Sequence, residues 1–149
     1  MDVVSLIISL LSIALAIFSA VFTWRVHKQA VEHYKKQATL DAINVLQVQV
    51  FDELNLYTKS QIEEISKNTR SENYKEITKL MARIEHFCVG VNSDIYSLEI
   101  AKRLAGRHFC ALYEKLSPMI QKKRETVKND KHYDEFEKFI NDLNCLYNK

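Results

Sequence analysis

The chain has 149 residues but only two glycines, Gly90 and Gly106, and one proline, Pro118. So few turn formers exclude a many-stranded β fold and point to long helices. A net charge of +2 gives no bulk reason to hold nucleic acid. Three cysteines (Cys88, Cys110, Cys145), with no Cys-x-x-Cys or Cys/His spacing, suit free thiols in a reducing compartment and neither a disulfide frame nor a metal centre.

The amino terminus opens with an uncharged run from Val3 to Trp24. As a helix this run extends about 33 Å, enough for a hydrocarbon core of about 30 Å. A cleavable signal peptide has a basic start and a shorter apolar core. Here only Asp2 precedes the run, so residues 1–24 read as a retained transmembrane helix. Arg25, Lys28, Lys35 and Lys36 follow it, which puts the amino terminus outside and residues 25–149 in the cytoplasm, with Trp24 at the interface.

Inside the run, Ser5, Ser9, Ser12, Ala16, Ser19 and Thr23 are spaced 4, 3, 4, 3 and 4, one stripe down one helix face. An isolated anchor gains nothing from such a stripe. Several copies gain close packing through small residues, or a hydroxyl-lined water path. Either use requires a homo-oligomer in the bilayer. Arg25, His27 and Lys28 would then form a cationic collar at the cytoplasmic mouth, or serve as plain topology signals.

Past Thr23 the helix meets neither Gly nor Pro. The spacing predicts a long first helix over about 25–58, with at most a bend near 36–40 and a seam of Ile43, Leu46, Val50, Leu54 and Tyr57. Residues 59–73 are the most polar stretch and read as a polar loop, or a short mobile helix. A second helix, about 72–92, buries Ile77, Leu80, Met81, Ile84, Phe87 and Val91. A third spans about 94–116, capped by Ser93 or Asp94, with Ile95, Leu98, Ala101, Ala105, Leu112 and Leu116 inward. Ser117 and Pro118 start a short fourth helix. A last one, from about 131, carries Tyr133, Phe136, Ile140, Leu143 and Tyr147. The expected fold is all-α: a single transmembrane helix continuous with a cytoplasmic helical bundle.

"RLAGRH", Arg103 to His108, fits the Arg-x4-His pattern of small helical ribonucleases. Six arginines and five histidines in this length give about 0.2 such matches by chance. Five residues turn about 500°, leaving the two side chains about 140° apart on a straight helix. His108 falls on the inward stripe, and Arg103 sits one turn after Glu99, an ion-pair spacing. Catalysis would need His108 as acid or base and Arg103 against the phosphorane charge, completed across a dimer. "QKKRETVKNDKH" (121–132) is basic but lacks the aromatic side chains that stack bases, so it reads as a solvated helix end.

This organisation, with its single "RLAGRH", resembles the membrane accessory proteins of type VI-B CRISPR loci. Residues 83–120 are also similar to a wider group of small bacterial membrane proteins of uncharacterised domain type. The first resemblance implies a divergent HEPN-like helical domain and a closed ring, of about eight chains, around a pore. It also implies inner-membrane permeabilisation that strengthens antiphage defence beside an RNA-guided RNA-cleaving effector. Arg103 and His108 occupy the family's motif positions. Leu104 stands where active HEPN nucleases usually have a polar residue, which implies a structural role for the motif. The resemblance also favours a lumen for Ser5, Ser9, Ser12, Ala16, Ser19 and Thr23. The resulting expectation is an oligomeric pore in the bacterial inner membrane. It is not an enzyme and needs no cofactor, metal or small-molecule substrate. The alternatives are a membrane-tethered ribonuclease using Arg103 and His108, or a passive anchor or adaptor.

Overall fold

The computed structural model describes residues 2–147, and the side chains of residues 2–143. Cys145, expected as a free thiol, and Tyr147, expected inward, have side chains outside that range. All regular structure among the described residues is helical. Helix α1, Val3–Leu46, passes without a break into a π-helical turn, Gln47–Phe51, and then into the short α2, Asp52–Asn55. After these come α3 (Lys59–Lys67), α4 (Glu72–Asn92), α5 (Leu98–Val127) and α6 (Asp134–Tyr147).

Two compact units divide the chain, Met1–Lys35 and Lys36–Lys149. The regular structure of the first is the amino-terminal part of α1, with every residue from Asp2 to Tyr34 exposed. The division after Lys35 marks where α1 starts to bury side chains, whereas the predicted limit at Trp24 marks where charge begins. In the second unit α1 buries Thr39, Ile43 and Leu46, and the helix continues into the fully buried Val50, Phe51 and Leu54. The seam expected from spacing is therefore present, with Tyr57 half-buried just past the helix end. Residues 36–40 are regular α-helix, and the irregularity lies instead at the π turn. The extra residue in that turn lets two consecutive side chains, Val50 and Phe51, both reach the core.

The polar stretch after residue 58 holds a short helix, the second of the two expectations, and is not a loop throughout. Thr58 Oγ1 accepts from the Gln61 amide at 3.3 Å, and Gln61 Oε1 accepts from the Thr58 amide at 2.8 Å. This reciprocal cap starts α3, which buries Ile62 and Ser66. The sequence signal was Thr58-x-x-Gln61. Helix α4 matches its predicted limits and is capped by Ser71, whose Oγ accepts from the Tyr74 amide at 3.2 Å. Its chain reversal depends on Gly90. The Gly90 carbonyl accepts from the amides of Ile95 and Tyr96 at 2.9 and 3.0 Å, and a Cβ at Gly90 would lie 2.5 Å from the Tyr96 ring.

Helix α5 differs from expectation at both ends. Its cap is Ser97, not Ser93 or Asp94, because the buried Thr39 Oγ1 accepts the Ser97 amide proton at 2.8 Å and fixes where the helix begins. Ile95 thus precedes the helix and is 62 % exposed instead of inward. At the other end, Pro118 does not open a new helix: α5 runs through it to Val127. Proline deprives the Glu114 carbonyl of its usual amide donor. The Ser117 hydroxyl donates to that carbonyl at 3.0 Å and replaces the lost bond.

Helix α6 begins at Asp134, after Tyr133 in the left-handed region at φ 64°. Three side chains hold its start. The Glu85 carboxylate accepts from the amides of Glu135 and Phe136 at 3.2 and 2.9 Å. Arg124 donates to the His132 carbonyl at 2.9 Å and to Glu137 at 2.7 Å. Asn92 donates to the Glu135 carbonyl at 3.0 Å. At the centre of the core, Phe109 meets Phe51, Phe87 and Phe139 at ring distances of 5.1, 5.4 and 5.1 Å.

Candidate functional site

The apolar run lies on one α-helix, α1, which is long and apolar enough to span a membrane, and no residue of the run itself is buried. Helical geometry keeps Ser5, Ser9, Ser12, Ala16, Ser19 and Thr23 within an arc of about 80°. Ser9 Oγ donates to the Ser5 carbonyl and Ser12 Oγ to the Ile8 carbonyl, each at 2.9 Å. With those protons satisfied inside the helix, the two hydroxyls carry no unpaired donor into hydrocarbon. Their oxygens still accept, and the stripe stays narrow enough for close helix approach. On the far side, Phe18 and Phe22 stack at 6.4 Å.

The regular helix divides the three residues expected at the mouth. His27 lies about 40° around the axis from Thr23, on the stripe's face. Arg25 and Lys28 lie about 160° and 140° away, on the opposite side. Lys28 Nζ sits 5.7 Å from the centre of the Trp24 ring, also off the stripe. A collar of all three around one lumen is therefore not what a single straight helix offers.

Arg103 and His108 line one open surface cavity, and each has surroundings of its own. The Arg103 side chain is 73 % exposed, and its guanidinium lies 3.8 Å from Glu99. His108 is half-buried, its ring 4.5 Å from Phe51 in the π turn, and its Nε2 is buried with no hydrogen-bond partner. Burial lowers the proton affinity of this imidazole from the ordinary 6.5, nearby Lys115 lowers it further, and Asp52 opposes both. Lys115 itself donates from Nζ to the Leu54 carbonyl at 2.9 Å, tying the end of α2 to α5. That bond joins residues far apart in sequence and has no local signal.

A neutral His108 in the fold and a more basic one in the unfolded chain set a pH dependence. The unfolded state takes up the proton first, so this residue's contribution is intact above about 6.5 and is lost as pH falls below it. Urea midpoints measured from pH 7.5 to 5.5 should fall for the native protein. They should fall less steeply for His108→Leu; equal slopes would remove His108 as the cause.

Within the basic stretch, Lys122 pairs with Glu125 at 3.4 Å and Arg124 is committed to α6, as a helix end does. Cys88 is buried, its thiol pushed well up by desolvation, and Cys110 is half-buried. Among the described residues no group of three or more His, Cys, Asp or Glu is placed to hold a metal ion.

One family model, described as a domain of unknown function (DUF4760), matches residues 6–143. That span begins inside the apolar run and ends in α6, so the matched unit includes membrane-length helix and bundle together. No curated protein and no solved structure matches the chain.

Proposed function

The chain belongs to the DUF4760 family, and from that premise we propose that it is a single-pass membrane protein whose copies assemble into a pore. One observation carries the reading. Residues 3–24 form an exposed apolar helix whose only polar side chains, apart from the flanking Trp24, lie on a single narrow stripe. In a bilayer, the Leu, Ile, Val and Phe side suits lipid. The stripe suits neighbouring copies and, in a closed ring, a water-filled lumen. The basic residues after Trp24 favour an amino terminus outside and a cytoplasmic bundle. The resemblance to type VI-B accessory proteins supports a role in antiphage defence, with leakage triggered by an RNA-guided effector.

Dye release from liposomes carrying the purified chain tests the pore. Wild type and Leu10→Val, a change off the stripe, should leak comparably. Ser12→Phe places a ring on the stripe and should cut release at least about tenfold, because bulk there blocks both close packing and a narrow lumen. Inserted protein without leakage, or leakage indifferent to Ser12→Phe, would overturn the reading. The ribonuclease alternative is the weaker reading, because Arg103 lies beside Glu99 and His108 packs against Phe51, although both line one cavity. Intact RNA in leaking cells, with and without His108→Ala, would dispose of it.

A further inference from the structure

Arg25 and Lys28 project from the side of α1 that carries Phe18 and Val21, away from the Ser/Thr stripe. Neither forms an ion pair with any described residue; even Glu32, one turn beyond Lys28, does not. Their environment is set by Trp24, which is 64 % exposed and stacked under the Lys28 ammonium. We infer that Trp24, Arg25 and Lys28 form a binding site for the headgroups of anionic phospholipids. This rests on the reading that residues 3–24 span a bilayer.

Distances along the helix decide which cations belong to the site. Lys28 lies about 6 Å beyond Trp24 along the axis, inside a headgroup layer of about 5–7 Å. Its aliphatic stem can lie against the indole while the ammonium meets a phosphate. Lys35 and Lys36 lie about 16–18 Å beyond Trp24, and a Debye length of about 8 Å screens them from that layer. Glu32, about 12 Å out, lies past the headgroup layer and forms no ion pair with Lys28. Two unpaired cations beside an interfacial indole, on the lipid-facing side, match a phosphodiester anion. A neutral zwitterionic headgroup offers them no net charge.

Trp24 is the sole tryptophan, so its fluorescence reports on this site alone. The full chain is reconstituted in phosphatidylcholine vesicles holding an equal fraction of acyl-brominated phosphatidylglycerol or acyl-brominated phosphatidylcholine. Bromine depth is the same in both, so a difference in quenching measures enrichment of the anionic lipid. Quenching by the brominated phosphatidylglycerol should exceed that by phosphatidylcholine about twofold, fall with added salt, and become equal in an Arg25→Gln, Lys28→Gln double variant. Equal quenching in the wild type, or an unchanged ratio in the double variant, overturns the site. Resistance to alkaline carbonate extraction is scored on the same vesicles. Protein that washes off removes the membrane reading and the lipid site together. Inserted protein with equal quenching removes the lipid site alone.

Discussion

Phe109→Ala should destabilise the bundle by about 3–5 kcal/mol, the largest loss expected from any single truncation. Phe109 is fully buried, and its ring contacts others from the π turn, α4 and α6. Three elements therefore lose a shared packing partner at once, and an alanine leaves a cavity that no one of them can fill. Domains of this kind have about 5–15 kcal/mol of stability in total, so the variant should sit close to unfolding. Urea denaturation should show a lower midpoint with an unchanged slope, whereas Phe109→Leu should recover much of the loss. A drop below about 1 kcal/mol for Phe109→Ala would mean that the core is not organised around this ring.

Glu85→Ala should cost about 2–3 kcal/mol and loosen α6 before anything else. The Glu85 side chain, half-buried on α4, supplies the acceptor for two amides that the start of α6 leaves without intrahelical partners. Hydrogen exchange should rise across residues 134–143 while the middle of α4 keeps its protection. Glu85→Gln retains an acceptor and should fall between the two. Uniform loosening of both helices would show that the carboxylate is not a local clamp. Desolvation raises the Glu85 proton affinity above the ordinary 4.5, although its two backbone hydrogen bonds oppose the shift. The folded state thus holds the proton longer than the unfolded one, and this residue's contribution declines as pH rises above 4.5. His108 works in the other direction, its contribution lost as pH falls below about 6.5.

The legible parts of this chain are those whose cause is local. Helix α4 is read almost to the residue because Ile77, Met81, Ile84, Phe87 and Val91 repeat at helical spacing and a polar turn follows them. Thr58 and Gln61 also carry a local cap signal, and that makes α3 readable where polarity alone suggests a loop. Phe109 lies on the period of Ala105, Leu112 and Leu116, so its burial is readable too. The division of Arg25 and Lys28 from His27 needs only the 100° step of an unbroken helix.

By itself, then, the amino-acid sequence determined an all-helical chain with a membrane-length apolar run and a stripe of small residues upon it. Composition and period act over a few turns and need no distant partner. Tertiary structure alone decided where α5 begins and how α6 is held. Thr39 and Ser97, Glu85 and Phe136, and Lys115 and Leu54 are each separated by about 50 residues or more. Their bonds exist only once the helices have packed. The path of α5 through Pro118 was likewise decided in three dimensions. Leu116, Met119 and Ile120 on either side of the proline are all buried, so continuing the helix keeps apolar surface from water that a break would expose. His108 reached its half-buried place beside Phe51 for the same reason, since the π turn brings that ring against α5.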